Sequence, residues 1–144
     1  MNALAISMTS AGCFFLAGLL AGAWKYLQIR RSTVASASKY VDLAHRAALM
    51  YAFANVLLAQ FVEKSRWPTH VNGVAVIVLE VFFGVSVLGY VVHGALGDTD
   101  NQFQKPHRLG RRTIPAPTMT LFMLTLIGAE VVAFCVIFTG YLLW

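Results

Sequence analysis

Residues Val71–Leu96 read VNGVAVIVLEVFFGVSVLGYVVHGAL, and this stretch decides the fold class. It contains no Lys, Arg or Asp, and Glu80 is its one carboxylate. A helix of about 20 apolar residues crosses the roughly 30 Å hydrocarbon layer of a bilayer. The stretch is longer than that, so it predicts a membrane-spanning helix.

The rest of the chain repeats this pattern. Of its 144 residues, 58% are hydrophobic and 12% charged, whereas about a quarter of the residues of a soluble domain are charged. A chain of this length cannot bury so much apolar side chain in one aqueous core. We therefore predict an all-α integral membrane four-helix bundle, a single membrane domain over residues 1–144. Its spans are expected at about 3–23, 43–62, 71–96 and 114–143.

The ends of these spans carry their own signals. Ala21-Gly22-Ala23 resembles a signal-peptide cleavage site, but no Lys or Arg precedes the first apolar stretch, so we expect a retained span. Gly97 is expected to end the third helix. Pro115 and Pro117 suit the first turn of the fourth helix, where a missing N–H costs nothing.

The basic residues predict the orientation. Nine of the eleven lie in or beside the first and third loops: Lys25, Arg30, Arg31, Lys39, Arg46, Lys105, Arg108, Arg111 and Arg112. Cytoplasmic loops carry an excess of Lys and Arg, so both termini are expected to be non-cytoplasmic. The net charge of +5 then follows from topology, without a nucleic-acid partner. Trp24, Trp67 and Trp144 fall at predicted span ends, as interfacial anchors do. We expect a multi-pass protein of the cell membrane, the inner membrane of a bacterium.

Several spans contain polar side chains, which are costly in lipid. They are His45, Arg46, Tyr51, Asn55 and Gln60 in the second span, Glu80, Ser86, Tyr90 and His93 in the third, and Glu130 and Tyr141 in the fourth. Given the helical rise, the residues His45, Tyr51, Tyr90 and His93 share one layer near the cytoplasmic surface, with Asn55 and Glu80 deeper at one depth.

This layering predicts a polar pocket that opens toward the cytoplasm below a basic rim, and Glu80 can pair with Asn55. Each residue also has a simpler interpretation. The tyrosines suit a membrane interface, the histidines can serve as hydrogen-bonded residues at span ends, and Asn55 can bond across helices.

Three segments resemble a known family. Leu43–Tyr51, LAHRAALMY, is similar to the opening of the second span in styrene oxide isomerase and hydroxylaminobenzene mutase, which are small four-span membrane proteins. Leu79-Glu80 resembles the Leu-Asp of their third span, and Gly94–Phe103 resembles the polar stretch that follows it.

The resemblance implies a homotrimer that binds haem b, with His45 as the axial iron ligand and Tyr90 as a substrate-binding tyrosine. The family's asparagine position holds Tyr51 here, and Asn55 lies one turn further along. The residues themselves agree with a haem site, because haem needs an axial histidine in an apolar slot and cations for its propionates. His45 beside Arg46 supplies that pattern.

These observations predict a membrane-embedded isomerase that rearranges a small apolar epoxide or hydroxylamine, with ferric iron as Lewis acid. Its candidate catalytic residues are Tyr51, Asn55, Glu80 and Tyr90. Three alternatives stay open: a b-type electron-transfer protein in which His45 and His93 both bind one haem, a cofactor-free accessory subunit of a larger membrane complex, and a small transporter.

Overall fold

The computed structural model describes residues 2–143 and contains four long helices. In chain order these are α1 (Ala3–Arg31), α2 (Lys39–Lys64), α3 (Thr69–Leu96) and α4 (Ala116–Leu142). Between α3 and α4, two short antiparallel strands, β1 (His107–Leu109) and β2 (Arg112–Ile114), form a hairpin. The predicted all-α class is confirmed, and the short β-hairpin was not predicted.

Three of the helices, α1, α3 and α4, are long and apolar enough to cross a membrane. A multi-pass membrane protein is therefore supported. The helices also run past the predicted spans: α1 continues to Arg31 and α2 begins at Lys39. The predicted spans were bounded by apolar composition alone, whereas a helix continues wherever its backbone hydrogen bonds can form.

Local signals set most helix ends. The Asn2 side chain caps α1 by accepting a hydrogen bond from the Ala5 N–H, at 3.3 Å. Gly97 ends α3 in the left-handed conformation, at φ 58°, as expected of a residue without a β carbon. Pro115 and Pro117 stand at the start of α4, also as predicted. Trp144 lies outside the described residues.

Glycines let α1 and α2 pack closely. A β carbon at Gly18 would lie 2.6 Å from Leu49 Cδ2, so only glycine fits that position without movement. The facing side of α2 is lined by small residues, with Ala44, Ala48 and Ala52 all buried. Small residues at helix interfaces are typical of membrane proteins, because they allow backbones to approach.

α2 and α3 each pack against the other three helices, and α2 makes the most extensive contacts. By contrast, only Ala133, Ile137 and Gly140 are buried on α4. The C-terminal end of α4 is tied to the turn between α2 and α3 by two hydrogen bonds. The Trp67 indole donates to the Val136 carbonyl at 2.9 Å, and the Arg66 N–H donates to the Gly140 carbonyl at 3.0 Å.

Candidate functional site

His45 lies in the interface between α1 and α2. Its Nδ1 is 2.7 Å from the carbonyl oxygen of Gly18. A carbonyl oxygen only accepts, so Nδ1 carries the proton, and in the neutral ring Nε2 keeps its lone pair. A β carbon at Gly22 would lie 2.8 Å from His45 Cε1, so the ring occupies space that this glycine leaves open. A histidine whose Nδ1 donates to a backbone carbonyl has the arrangement typical of a metal-binding imidazole.

Two cations flank His45 at the predicted cytoplasmic end of the helix pair. Lys25 Nζ lies 2.6 Å and an Arg46 guanidinium nitrogen 2.8 Å from the carboxylate oxygens of Asp42. The hydrogen bond from Lys25, with that from Arg46 and the charges of both, lowers the pKa of Asp42. One carboxylate faces two cations, so the cluster keeps a net positive charge, and the Arg46 side chain is 62% exposed.

His93 belongs to a different cluster. Its Nδ1 lies 2.8 Å from Asp98 Oδ1, and both side chains are buried. The other carboxylate oxygen of Asp98 accepts from the Gly110 N–H, and the His93 ring packs against Tyr40. Burial alone would raise the pKa of Asp98, but the bonds from His93 and Gly110 hold it below its usual range.

This cluster ties the loop after α3 to the helices, because the Tyr40 hydroxyl also accepts from the Gln102 N–H. Neither Tyr40 nor Asp98 was predicted as a partner of His93. The sequence feature that indicates the Asp98 contact is an acidic residue directly after Gly97, the glycine that ends α3.

The predicted tyrosines share a small cavity between α3 and α4. Tyr51, Ser86 and Tyr90 line it together with Phe122 and Leu126, and its volume is about 100 Å³. The ring of Tyr51 also stacks on Phe83, with the ring centres 4.1 Å apart. His45 does not line this cavity. One chain therefore brings the two tyrosines together but leaves His45 on the α1 side of α2.

Asn55 and Glu80 pair across α2 and α3, as their common depth predicted. Asn55 Nδ2 donates to Glu80 Oε2 at 3.2 Å, and the Asn55 side chain is fully buried. Asn55 Oδ1 and Glu80 Oε1 are buried and have no hydrogen-bond partner within residues 2–143. Glu130 Oε1 is also buried without a partner in the described chain, in an otherwise apolar cavity.

Among the described residues, no three His, Cys, Asp or Glu side chains gather as ligands for a bare metal ion. No protein-family model, curated protein or solved structure matches the chain. The likeness of Leu43–Tyr51 and Leu79-Glu80 to styrene oxide isomerase and hydroxylaminobenzene mutase stays a prediction.

The Asp98 contacts generate a prediction about the third loop. Replacing Asp98 with alanine leaves the buried His93 Nδ1 and the Gly110 N–H without their partner. Each buried unsatisfied group costs about 1–3 kcal/mol, so the loop should open more often. We expect trypsin to cut Asp98→Ala after Arg108, Arg111 or Arg112 several times faster than it cuts the parent protein in detergent.

Asp100→Ala is the matched control, because Asp100 is an exposed carboxylate in the same loop. It should be cut at the parental rate. Equal cleavage of the two variants would contradict a fastening role for Asp98.

Proposed function

We propose that α2 is a fourth membrane span and that both termini are non-cytoplasmic. With 26 residues, α2 is about 39 Å long at 1.5 Å per residue, enough for the hydrocarbon layer. It is less apolar than the other helices because its polar side chains contact neighbouring helices: His45 bonds to α1, and Asn55 bonds to α3. A central helix meets less lipid, and polar groups that face the bundle interior are tolerated there.

The protein is further proposed to bind haem b through Nε2 of His45. The observation that carries this proposal is the hydrogen bond from His45 Nδ1 to the Gly18 carbonyl, which leaves Nε2 as the free donor atom. A single protein ligand suits haem, whose porphyrin supplies four of the iron ligands. Arg46 and Lys25 would supply positive charge for its propionates. We expect His93 not to bind the same iron, because its ring packs against Tyr40 in a cluster separate from the His45–Gly18 contact.

When bound, ferric haem supplies a Lewis acid that withdraws electron density from an epoxide or hydroxylamine oxygen. Tyr51 and Tyr90 supply hydroxyl donors that orient a small apolar substrate, and Phe122 and Leu126 exclude water from the cavity that they share. Asn55 contacts Glu80 on the α1 side of α3, rather than lining this cavity.

His45 bonds to the Gly18 carbonyl of α1, whereas the two tyrosines line the cavity at α3 and α4, so we propose that the active site combines His45 of one chain with the tyrosines of a second subunit. The homotrimer implied by the family resemblance would provide it. The proposed isomerase activity thus requires the oligomer, and a single chain would lack it.

The topology is tested with reporter fusions. A reporter after Trp144 and one in the turn at residues 65–68 should both be non-cytoplasmic, and one between Arg30 and Lys39 should be cytoplasmic. If α2 did not cross the membrane, the reporters on either side of it would lie in the same compartment, and the proposal would fail.

Haem binding is tested by the absorption spectrum of the purified protein. His45→Ala should lose the Soret band or most of it, whereas His93→Ala should keep it. Gly22→Ala should weaken haem binding about 10–100-fold, the usual effect of disturbing a ligand's support, because the new β carbon displaces the imidazole.

Gly12→Ala is the control for Gly22→Ala, since a β carbon at Gly12 meets no atom within 4 Å. It should bind haem like the parent protein. Haem loss in both histidine variants would instead support the two-histidine electron-transfer alternative.

The chemistry is tested with ferric protein and an aryl epoxide or arylhydroxylamine, without reductant. Tyr90→Phe should slow turnover by about 10–10³-fold, the range for loss of one positioned donor, while the Soret band stays unchanged. Mixed oligomers of His45→Ala and Tyr90→Phe chains should regain activity if the two residues act across subunits. Haem-loaded ferric protein that converts neither substrate would refute the isomerase and favour the accessory-subunit alternative.

A further inference from the structure

A second cavity lies between α1 and α3, away from the tyrosines. Its volume is about 390 Å³. Phe14, Ala17, Val87 and Val91 form apolar parts of its wall, and its polar lining consists of Ser10, Cys13 and Glu80. Cys13 and Leu88, which also line it, are exposed on the outer surface of the bundle. In a membrane this cavity therefore opens sideways to the lipid.

Glu80 is the carboxylate in the lining of this cavity. Its Oε2 accepts the hydrogen bond from Asn55, which fixes the carboxyl group. Its Oε1 is buried and makes no hydrogen bond of normal geometry within the described part of the chain, although the Ser10 hydroxyl lies beside the carboxyl group as a weaker partner. Within residues 2–143, Lys25 and Arg46 pair with Asp42, and His93 bonds to Asp98, so none of these contacts reaches Glu80. A carboxylate inside a membrane is costly unless a proton or a positive charge compensates it. A cationic guest would provide that compensation.

We propose that this cavity binds a lipophilic primary amine in its ammonium form, with Glu80 as the counter-ion. The apolar wall fits a hydrocarbon or aryl body. An ammonium group has three donors and no acceptor, which matches acceptors that lack partners, Glu80 Oε1 foremost. Ser10 offers a further hydroxyl acceptor in the same lining. Asn55 is a positioning residue, because it acts by holding Oε2.

The route of entry agrees with this guest. A lipophilic amine partitions into the bilayer, and the cavity mouth at Cys13 and Leu88 meets lipid directly. The charged end can then reach Glu80 while the apolar body stays against Val87 and Val91. The site is separate from His45, and the proposal does not depend on haem.

The test uses 2-phenylethylamine as probe and the full chain as purified, inserted in lipid nanodiscs at mildly alkaline pH. Equilibrium binding should be saturable, with one site per chain above the uptake by empty nanodiscs. Glu80→Gln keeps the shape and can still accept from Asn55, but it removes the charge. It should weaken binding about 10–100-fold, in the range of a charge-assisted hydrogen bond. Ethylbenzene, which lacks the amine, should bind Glu80→Gln and the parent protein equally.

A second pair of variants tests the location. A β carbon at Gly84, in the cavity lining, would meet no atom within 4 Å, and the same holds at Gly128 on α4. Gly84→Leu should therefore fill the cavity and abolish binding, whereas Gly128→Leu should bind like the parent. Undiminished binding by Glu80→Gln or by Gly84→Leu, or absence of saturable binding by the parent, overturns the proposal. Haem absorbance recorded on the same samples reports separately on His45.

Discussion

The close approach of α1 and α2 at Gly18 and Gly22 is the constraint on which the other features depend. Because neither glycine has a side chain, the imidazole of His45 can lie against the α1 backbone and donate to the Gly18 carbonyl. The same approach brings Lys25 of α1 within 2.6 Å of Asp42 of α2. It also leaves α1 with few contacts to α3, which opens the cavity at Glu80. This tight packing thus determines which nitrogen of His45 carries the proton, brings Lys25 to Asp42, and leaves the cavity at Glu80 open.

The polar groups of the bundle fall into two kinds with different physical roles. At the predicted cytoplasmic end, the Asp42 and Asp98 clusters consist of partnered charges that join one segment to another. In the middle, Glu80 and Glu130 each keep a buried oxygen without a partner in residues 2–143. Partnered charges fasten the structure, whereas unpartnered buried groups carry a free-energy cost that a guest can relieve. The cavity at Glu80 therefore offers the chemistry of an unpartnered group, whereas the Asp42 and Asp98 clusters supply stability and charge beside His45.

Much of the fold was predictable, because long apolar runs, and prolines and glycines at helix ends, act locally. The end of α3 follows from Gly97 and the start of α4 from Pro115 and Pro117, and the Asn55–Glu80 pair follows from depth, which depends only on the rise along each helix. Depth does not specify which neighbour a side chain faces. His45 and Tyr51 share a layer, yet a separation of six residues places them about 120° apart around α2. His45 bonds to α1, whereas the Tyr51 ring contacts Phe14 of α1 and stacks on Phe83 of α3. The His93–Asp98–Gly110 contacts depend on the path of a loop, which no periodic pattern encodes.

The unequal packing of the helices has a consequence for biogenesis. α1 and α2 form a hairpin whose glycine contacts, His45 hydrogen bond and Asp42 ion pairs are all complete before any later residue is needed. As the chain leaves the ribosome, this hairpin can form as a finished unit before α3 and α4 are made. α4 emerges later and buries little of its own surface, so its placement relies on the Trp67 and Arg66 bonds near its C-terminal end. Co-translational assembly would thus proceed from a closely packed pair of helices to the more loosely held α4, whose remaining surface stays free for lipid or another chain.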